Sequence, residues 1–289
     1  MNLLLISEGC NLSYKQNNIV AENEYKSENY SLSDIEVVLI ESNQCRVSTY
    51  LLNKLADENK IVVFCNEKHM PNSTLVDVCS NYDVFNRLHL QINCENNDLF
   101  WYRLISKKVQ NQIDLLKITK NNKALELIHD QFHSNNTIDS KEATIARIYF
   151  NNIFGNEFSR NNNHYLNNYL NYGYMIIRAI ISQVIIAKGL HPTLGIHHHS
   201  KLNNYNLADD FLEVYRVLID QHVYFNLIDE EDFTKEVKLG LLNLFNYPIQ
   251  HSKGKVRLRR SIEYLVDEYI EFLETGDLEI DFPNIDFNE

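Results

Sequence analysis

The sequence predicts an α+β chain: a small β-rich N-terminal domain followed by a larger all-α catalytic domain. Three observations carry this. Residues 1–80 alternate short β-branched and aromatic runs with turn residues. From residue 81 onward the apolar residues recur at helical spacing. A length of 289 residues with 44% hydrophobic composition leaves room for two cores. The expected division is 1–80 for the β-rich domain, 81–97 for a linker and 98–289 for the helical domain.

The strand candidates, in order, are LLLIS, LSYK, IVAEN, IEVVLIES and IVVFC. KQNNI, from Lys15 to Ile19, is a hairpin turn signal. One early helix runs from Ser48 to Glu58, with Ser48 or Thr49 as cap and Tyr50, Leu51, Leu52 and Leu55 as its apolar stripe. Exposed strand edges in this half suit a dimerisation surface. Beyond it, helices are expected at Leu99–Ile118, Lys123–Phe132, Lys141–Phe154, Tyr165–Lys188, Leu207–Leu227, Asp232–Leu244 and Ser261–Leu273. Gly189 with Pro192 shortly after fits a helix stop, and Asn206 fits an N-cap. The acidic end TGDLEIDFPNIDFNE reads as a solvated or loosely packed tail.

No leader pattern opens the sequence, and its most apolar stretch, YMIIRAIISQVIIAKGL, is interrupted by Arg178, Ser182, Gln183 and Lys188. That stretch reads as a buried core helix, and the expected location is cytoplasmic. Cys10, Cys45, Cys65, Cys79 and Cys94 form no CxxC and are odd in number, which fits small buried hydrophobes.

The net charge of −12 argues against generic nucleic-acid binding unless charge is segregated. Segregation is present in SKGKVRLRRS. There Lys253, Lys255, Arg257 and Arg259 recur every second residue beside Arg260. In an extended loop these cations would line one side at about the spacing of strand phosphates, ~6.6 Å. The bland alternative is a solvated loop. Arg103, Lys107 and Lys108 could extend the stripe.

Four carboxylate and imidazole positions could hold a hard cation. Glu142 shares a helix face with Ala146, Tyr149 and Ile153, so it sits at the end of an apolar stripe. Asp210 and Glu213 lie one turn apart on one face, where a solvated stripe is the default. The loop GIHHHS just upstream makes them resemble ligands for Mg²⁺ or Mn²⁺. If that loop is extended, His197 and His199 face one way and His198 the other, and pattern does not choose between them. The competing motif HDQFH sets His129 and His133 at i,i+4 but lacks a third ligand at a suitable spacing.

KEATIARIYFNNIFG, YLNYGYMIIRAIISQVIIAKGLHPTLGIHH and LADDFLEVYR, in this order, resemble the CRISPR-associated integrase of spacer acquisition, the nuclease numbered first among the Cas proteins. NLSYK, LSDIEVVLIES and VVFCNEKHMP look like the form found with type II CRISPR systems. The resemblance implies a β-rich domain that dimerises and a helical catalytic domain. It implies a Mg²⁺ or Mn²⁺ site on Glu142, His198 and Glu213, with Asp210 at a further acidic position. It implies insertion of short DNA fragments into a CRISPR array through attack of a 3′-hydroxyl on a phosphodiester at the repeat boundary. A small second CRISPR-associated protein would bridge two dimers. DNA would be held by Arg147, Lys253, Lys255, Arg257, Arg259 and Arg260. Some members carry an aromatic residue or histidine near the N-terminus that splays DNA ends, and Ser7–Asn11 offers none. The rival readings are a metal-dependent nuclease that cuts branched or single strands without joining them, and a non-catalytic assembly subunit.

Overall fold

A computed structural model describes residues 2–76, 83–119, 122–134, 137–285 and 287. Cys79 lies outside them. The first half is built from two sheets. In the first, β1 (Asn2–Ile6), β5 (Ile35–Ile40) and β7 (Ile61–Cys65) run parallel, and β8 (Pro71–Thr74) closes the edge antiparallel to β7. In the second, β2 (Asn11–Lys15), β3 (Asn18–Glu22) and β4 (Ser27–Ser31) form a meander, with β6 (Arg46–Val47) parallel to β2. The predicted hairpin turn is present: Gln16 and Asn17 take φ of 48° and 61°, the left-handed pair a two-residue turn requires. Helix α1 (Thr49–Asp57) is the crossover between parallel β5 and β7, and the Ser48 side chain accepts from Leu51 N–H. The strands β4, β6 and β8 escape the sequence reading because they are short or carry few β-branched residues.

The run IEVVLI is apolar without alternation because both faces of β5 are buried. Val38 and Ile40 join Leu12, Ile19, Leu32, Leu51 and Leu55 in the N-terminal core. Val37 and Leu39 join the helical core on the other face.

The helical part comprises α2 (Val84–Ile92), α3 (Asn97–Ile118), α4 (Asn122–Phe132), α5 (Ile138–Phe154), α6 (Leu166–Ala187), α7 (Asn206–Leu212), α8 (Arg216–Asn226), α9 (Lys235–Asn243) and α10 (Leu258–Thr275). Helix α6 is its axis, with Tyr169, Leu170, Tyr172, Ile176, Ile177, Ile180 and Ile181 buried. It is long and apolar enough to span a membrane by composition, and here it is the core helix the polar interruptions foretold.

Four expectations are corrected. The stretch 81–97, expected as linker, carries α2, capped by the Asp83 side chain on Asn86 N–H. The helix expected at Leu207–Leu227 is two helices, α7 and α8, broken at Glu213–Tyr215. The second half is not all-α: β9 (Ile249–His251), β10 (Gly254–Val256) and β11 (Asn284–Ile285) form a small antiparallel sheet, which also anchors the tail. Asn206 does not cap; its amide donates to the carbonyls of Thr193 and Ser200, both at 3.0 Å.

Candidate active site

The histidine loop is shaped around one carboxylate. Asp210, on α7, has no solvent exposure. Its Oδ2 accepts from the N–H groups of Ile196 and His197 at 2.6 and 3.2 Å. Its Oδ1 takes His198 N–H at 3.2 Å and His198 Nδ1 at 2.6 Å. A buried charge is tolerated when it is bonded this fully. Gly195 makes the wrap possible: a Cβ there would stand 2.2 Å from the His198 carbonyl oxygen and 2.8 Å from Asp210 Oδ2. Gln91 of α2 secures the loop from outside, bonding His191 and Leu194. The His197 ring lies flat on Trp101 at 4.4 Å, and His198 meets the same indole edge-on at 6.0 Å. The Asp210 hydrogen bond raises the His198 pKa against the opposing effect of burial, helped by the Glu213 and Asp209 charges. His199 is exposed.

The break after α7 sets the second acid. Glu213 terminates α7 and is buried. The carbonyl of Val214 in the break accepts from buried Asn111 of α3 at 2.9 Å. Glu142 comes from the first turns of α5, whose Tyr149 and Ile153 face the core as the stripe predicted. Between these acids stands Lys108 of α3, 8% exposed. Its Nζ is 2.5 Å from Glu142 Oε1 and 2.6 Å from Glu213 Oε2. Arg216 Nε donates to Glu213 Oε1 at 2.9 Å and its guanidinium lies over the Tyr174 ring at 4.7 Å. Burial alone would raise the Glu213 pKa, but Arg216 and Lys108 overcome it and hold the carboxyl at about 2.

Of the residues the sequence singled out, the structure brings Glu142 and Glu213 together on one positive centre. His198 is held on the neighbouring loop by Asp210. Among the described residues no three His, Cys, Asp or Glu side chains lie close enough to share an ion. The donor set nonetheless fits a hard divalent cation. Two carboxylate oxygens, Glu142 Oε1 and Glu213 Oε2, converge on the single charge of the Lys108 ammonium. The Asp210 contact occupies His198 Nδ1 and leaves Nε2 as the remaining ring donor atom. Asp210, the further possible ligand, has both its oxygens bonded to the loop and holds the His198 ring in place. Lys108 is corrected from a member of a surface stripe to a buried counter-ion. Its burial had no sequence signal beyond its place on an apolar helix.

The basic stretch is not one extended loop. Lys253 sits in the β9–β10 turn, Lys255 in β10, Arg257 precedes α10, and Arg259 and Arg260 are in its first turn. Arg259 and Arg260 both reach Glu263, at 3.4 and 2.6 Å. Lys253 and Arg260 lie over the Tyr264 ring at 5.3 and 4.7 Å, and Arg257 faces Glu36 at 3.9 Å. Arg147 is exposed on α5. His129 and His133 are exposed neighbours with ring centroids 4.5 Å apart. A further arrangement was invisible in sequence. Ser261 Oγ lies 2.8 Å from His251 Nε2, and His251 Nδ1 lies 3.5 Å from Asp281 Oδ2. It has the order of a hydrolytic triad, but Ser261 is sealed under Tyr215 and reaches no substrate.

Residues 3–243 match the family described as CRISPR associated protein Cas1. A CRISPR-associated endonuclease Cas1 of Neisseria meningitidis serogroup C is 29% identical over 274 residues, covering 92% of this chain and 90% of the relative. A casposase bound to its integration product superposes with a TM-score of 0.72 at 16% identity, covering 98% of this chain and 93% of that one. A Cas6-RT-Cas1–Cas2 complex contains a chain matching with a TM-score of 0.71 at 15% identity, over 96% of this chain and 35% of that one. These two structural likenesses establish the fold. The match of most of the chain to one family settles its membership: this protein belongs to the Cas1 family.

Proposed function

We propose that this protein is a divalent-metal-dependent DNA endonuclease and integrase that inserts short DNA fragments at the repeat boundary of a CRISPR array. The observation that carries the reading is the half-buried Glu142 and the buried Glu213 facing one cation beside an imidazole fixed by Asp210. The endonuclease name of the Neisseria relative and the integration product bound by the casposase support it. Glu142, Glu213 and His198 would hold Mg²⁺ or Mn²⁺. Once bound, the ion would supply Lewis-acid polarisation of the phosphate. The chain's own residues do the rest. Arg216 keeps Glu213 ionised, Asp210 fixes the imidazole orientation, and Trp101 supports the loop as a flat base. Joining strands by transesterification needs no covalent enzyme intermediate, only charge neutralisation and in-line positioning.

Arg147, Lys253, Lys255, Arg257, Arg259 and Arg260 are the candidate phosphate contacts, which would position DNA without reading its sequence. Homodimerisation through the β-rich half, and a small second CRISPR-associated protein as bridge, complete the assembly. The Cas1–Cas2 complex among the structural neighbours supports the latter.

The test is a joining reaction with the protein, its partner, Mg²⁺ or Mn²⁺, a short duplex with free 3′-hydroxyls and a plasmid carrying a repeat array. Covalent joining at the repeat edge is expected. Cut strands without joined product would favour the plain nuclease. Binding with neither would favour an assembly subunit.

A further inference from the structure

We propose that Lys108 is a built-in competitor for the divalent cation: its ammonium neutralises Glu142 and Glu213 in the metal-free protein, and metal loading displaces it along α3 into an adjoining cavity. The inference rests on the metal-site reading above. Three observations on this chain carry it. The first is position. Lys108 Nζ touches both carboxylates, 2.5 Å from one and 2.6 Å from the other, in the place where an ion shared by the two acids would sit. The second is the character of the contact. Glu213 Oε2 is buried and pairs with the Lys108 ammonium at 2.6 Å, a charge-assisted contact of the kind a bound cation would replace.

The third is a destination. A cavity of about 200 Å³ adjoins the pair, lined by Lys108, Gln112, Glu213 and Asp220 together with Arg160 and Arg216. Gln112 follows Lys108 by four residues on α3 and therefore lies on the same helix face. Gln112 is buried, and its Oε1 has no hydrogen-bond partner. An orphaned buried acceptor is costly and rare. Here it offers a displaced ammonium a bond one turn away, while Asp220, already bonded by Tyr149 and Tyr174, offsets the Arg160 charge in the same cavity. The flexible four-carbon stem of lysine makes the swing feasible.

The consequence is a thermodynamic competition. The metal must displace a resident charge, so the site binds its ion less tightly than the bare carboxylate pair would. It also stays folded and neutralised when the ion is absent.

Mn²⁺ binding to the whole protein, followed by the loss of the free-ion electron paramagnetic resonance signal, measures this without reference to activity. Lys108→Met is expected to tighten binding about tenfold or more, as removal of a unit charge a few ångström from the ion should. Gln112→Leu is expected to weaken it several-fold, by removing the acceptor the ammonium moves to. Glu142→Gln is expected to lose high-affinity binding. Unchanged or weaker binding by Lys108→Met, with Glu142→Gln still losing it, overturns the competitor and leaves the metal site standing. Full binding by Glu142→Gln overturns both. Gln112→Leu leaves the lysine–glutamate contacts in place, so it decides the displacement even where Lys108→Met does not fold. Unchanged affinity in that variant would refute it.

Discussion

Asp210 spends both carboxylate oxygens on three backbone amides and one imidazole, so it is a structural part of the loop as much as an electrostatic one. Asp210→Ala strands those donors. It should cost about 2–4 kcal/mol in denaturant unfolding, in line with leaving buried donors unpaired, and abolish strand joining. A second buried acid, Asp220 on α8, behaves differently. Burial raises the Asp220 pKa to about 6, and the hydroxyls of Tyr174 and Tyr149 with Arg160 and Arg216 only partly counter it. A carboxyl that keeps its proton longer when folded than when unfolded loses stability as pH rises between the two values. The loss should fall between pH ~4 and ~6 and amount to about 2–3 kcal/mol at most. Asp220→Asn should flatten that part of the stability–pH curve, read by thermal denaturation across the range. At this scale the sequence offered candidates and not partners. Helix face and spacing raised Glu142 and the Asp210–Glu213 pair, and the family resemblance chose Glu142, His198 and Glu213. Lys108 gave no such signal, because a lysine at an inward position looks the same on paper as one on a wet face.

The break between α7 and α8 is the element-level event that aims Glu213. No glycine or proline marks it, and the apolar period continues through Val214, Val217 and Leu218, which is why one long helix was expected. The break is fixed from outside, by the Asn111 amide on the Val214 carbonyl. Asn111→Leu should therefore cost about 1–3 kcal/mol, as an orphaned buried carbonyl does. It should lower joining more than that loss of stability alone accounts for, measured as rate against folded fraction. The axis helix α6 gives a control. At Gly173 a Cβ would come within 2.7 Å of the Ile219 side chain on α8. Gly173→Ala should destabilise by about 1–3 kcal/mol through overpacking without changing metal affinity. The periodic helices and the Gln16–Asn17 hairpin were legible because local chemistry sets them. The strands β9 to β11 and helix α2 were not, because long-range pairing or anchoring decides them, as Gln91 on the histidine loop illustrates.

Across the whole molecule, the two apolar cores meet on opposite faces of β5, and the basic β9–β10–α10 corner reverses the sign of the acid surplus locally. Several of its cations are already matched by Glu263, Glu36 or the Tyr264 ring. If DNA binds at this corner as proposed, it competes with these internal contacts, and the affinity should fall as salt rises. Replacing Lys253, Lys255 and Arg257 together by alanine should reduce the slope of log affinity against log salt by about 2–3. The central claim concerns Glu142, Glu213 and His198, and crystals grown with Mn²⁺ test it most directly. The account predicts an anomalous-scattering peak between the two glutamates, about 2.2 Å from a carboxylate oxygen of each and from the free ring nitrogen of His198. A peak elsewhere, or Lys108 still seated between the glutamates at saturating Mn²⁺, would contradict it.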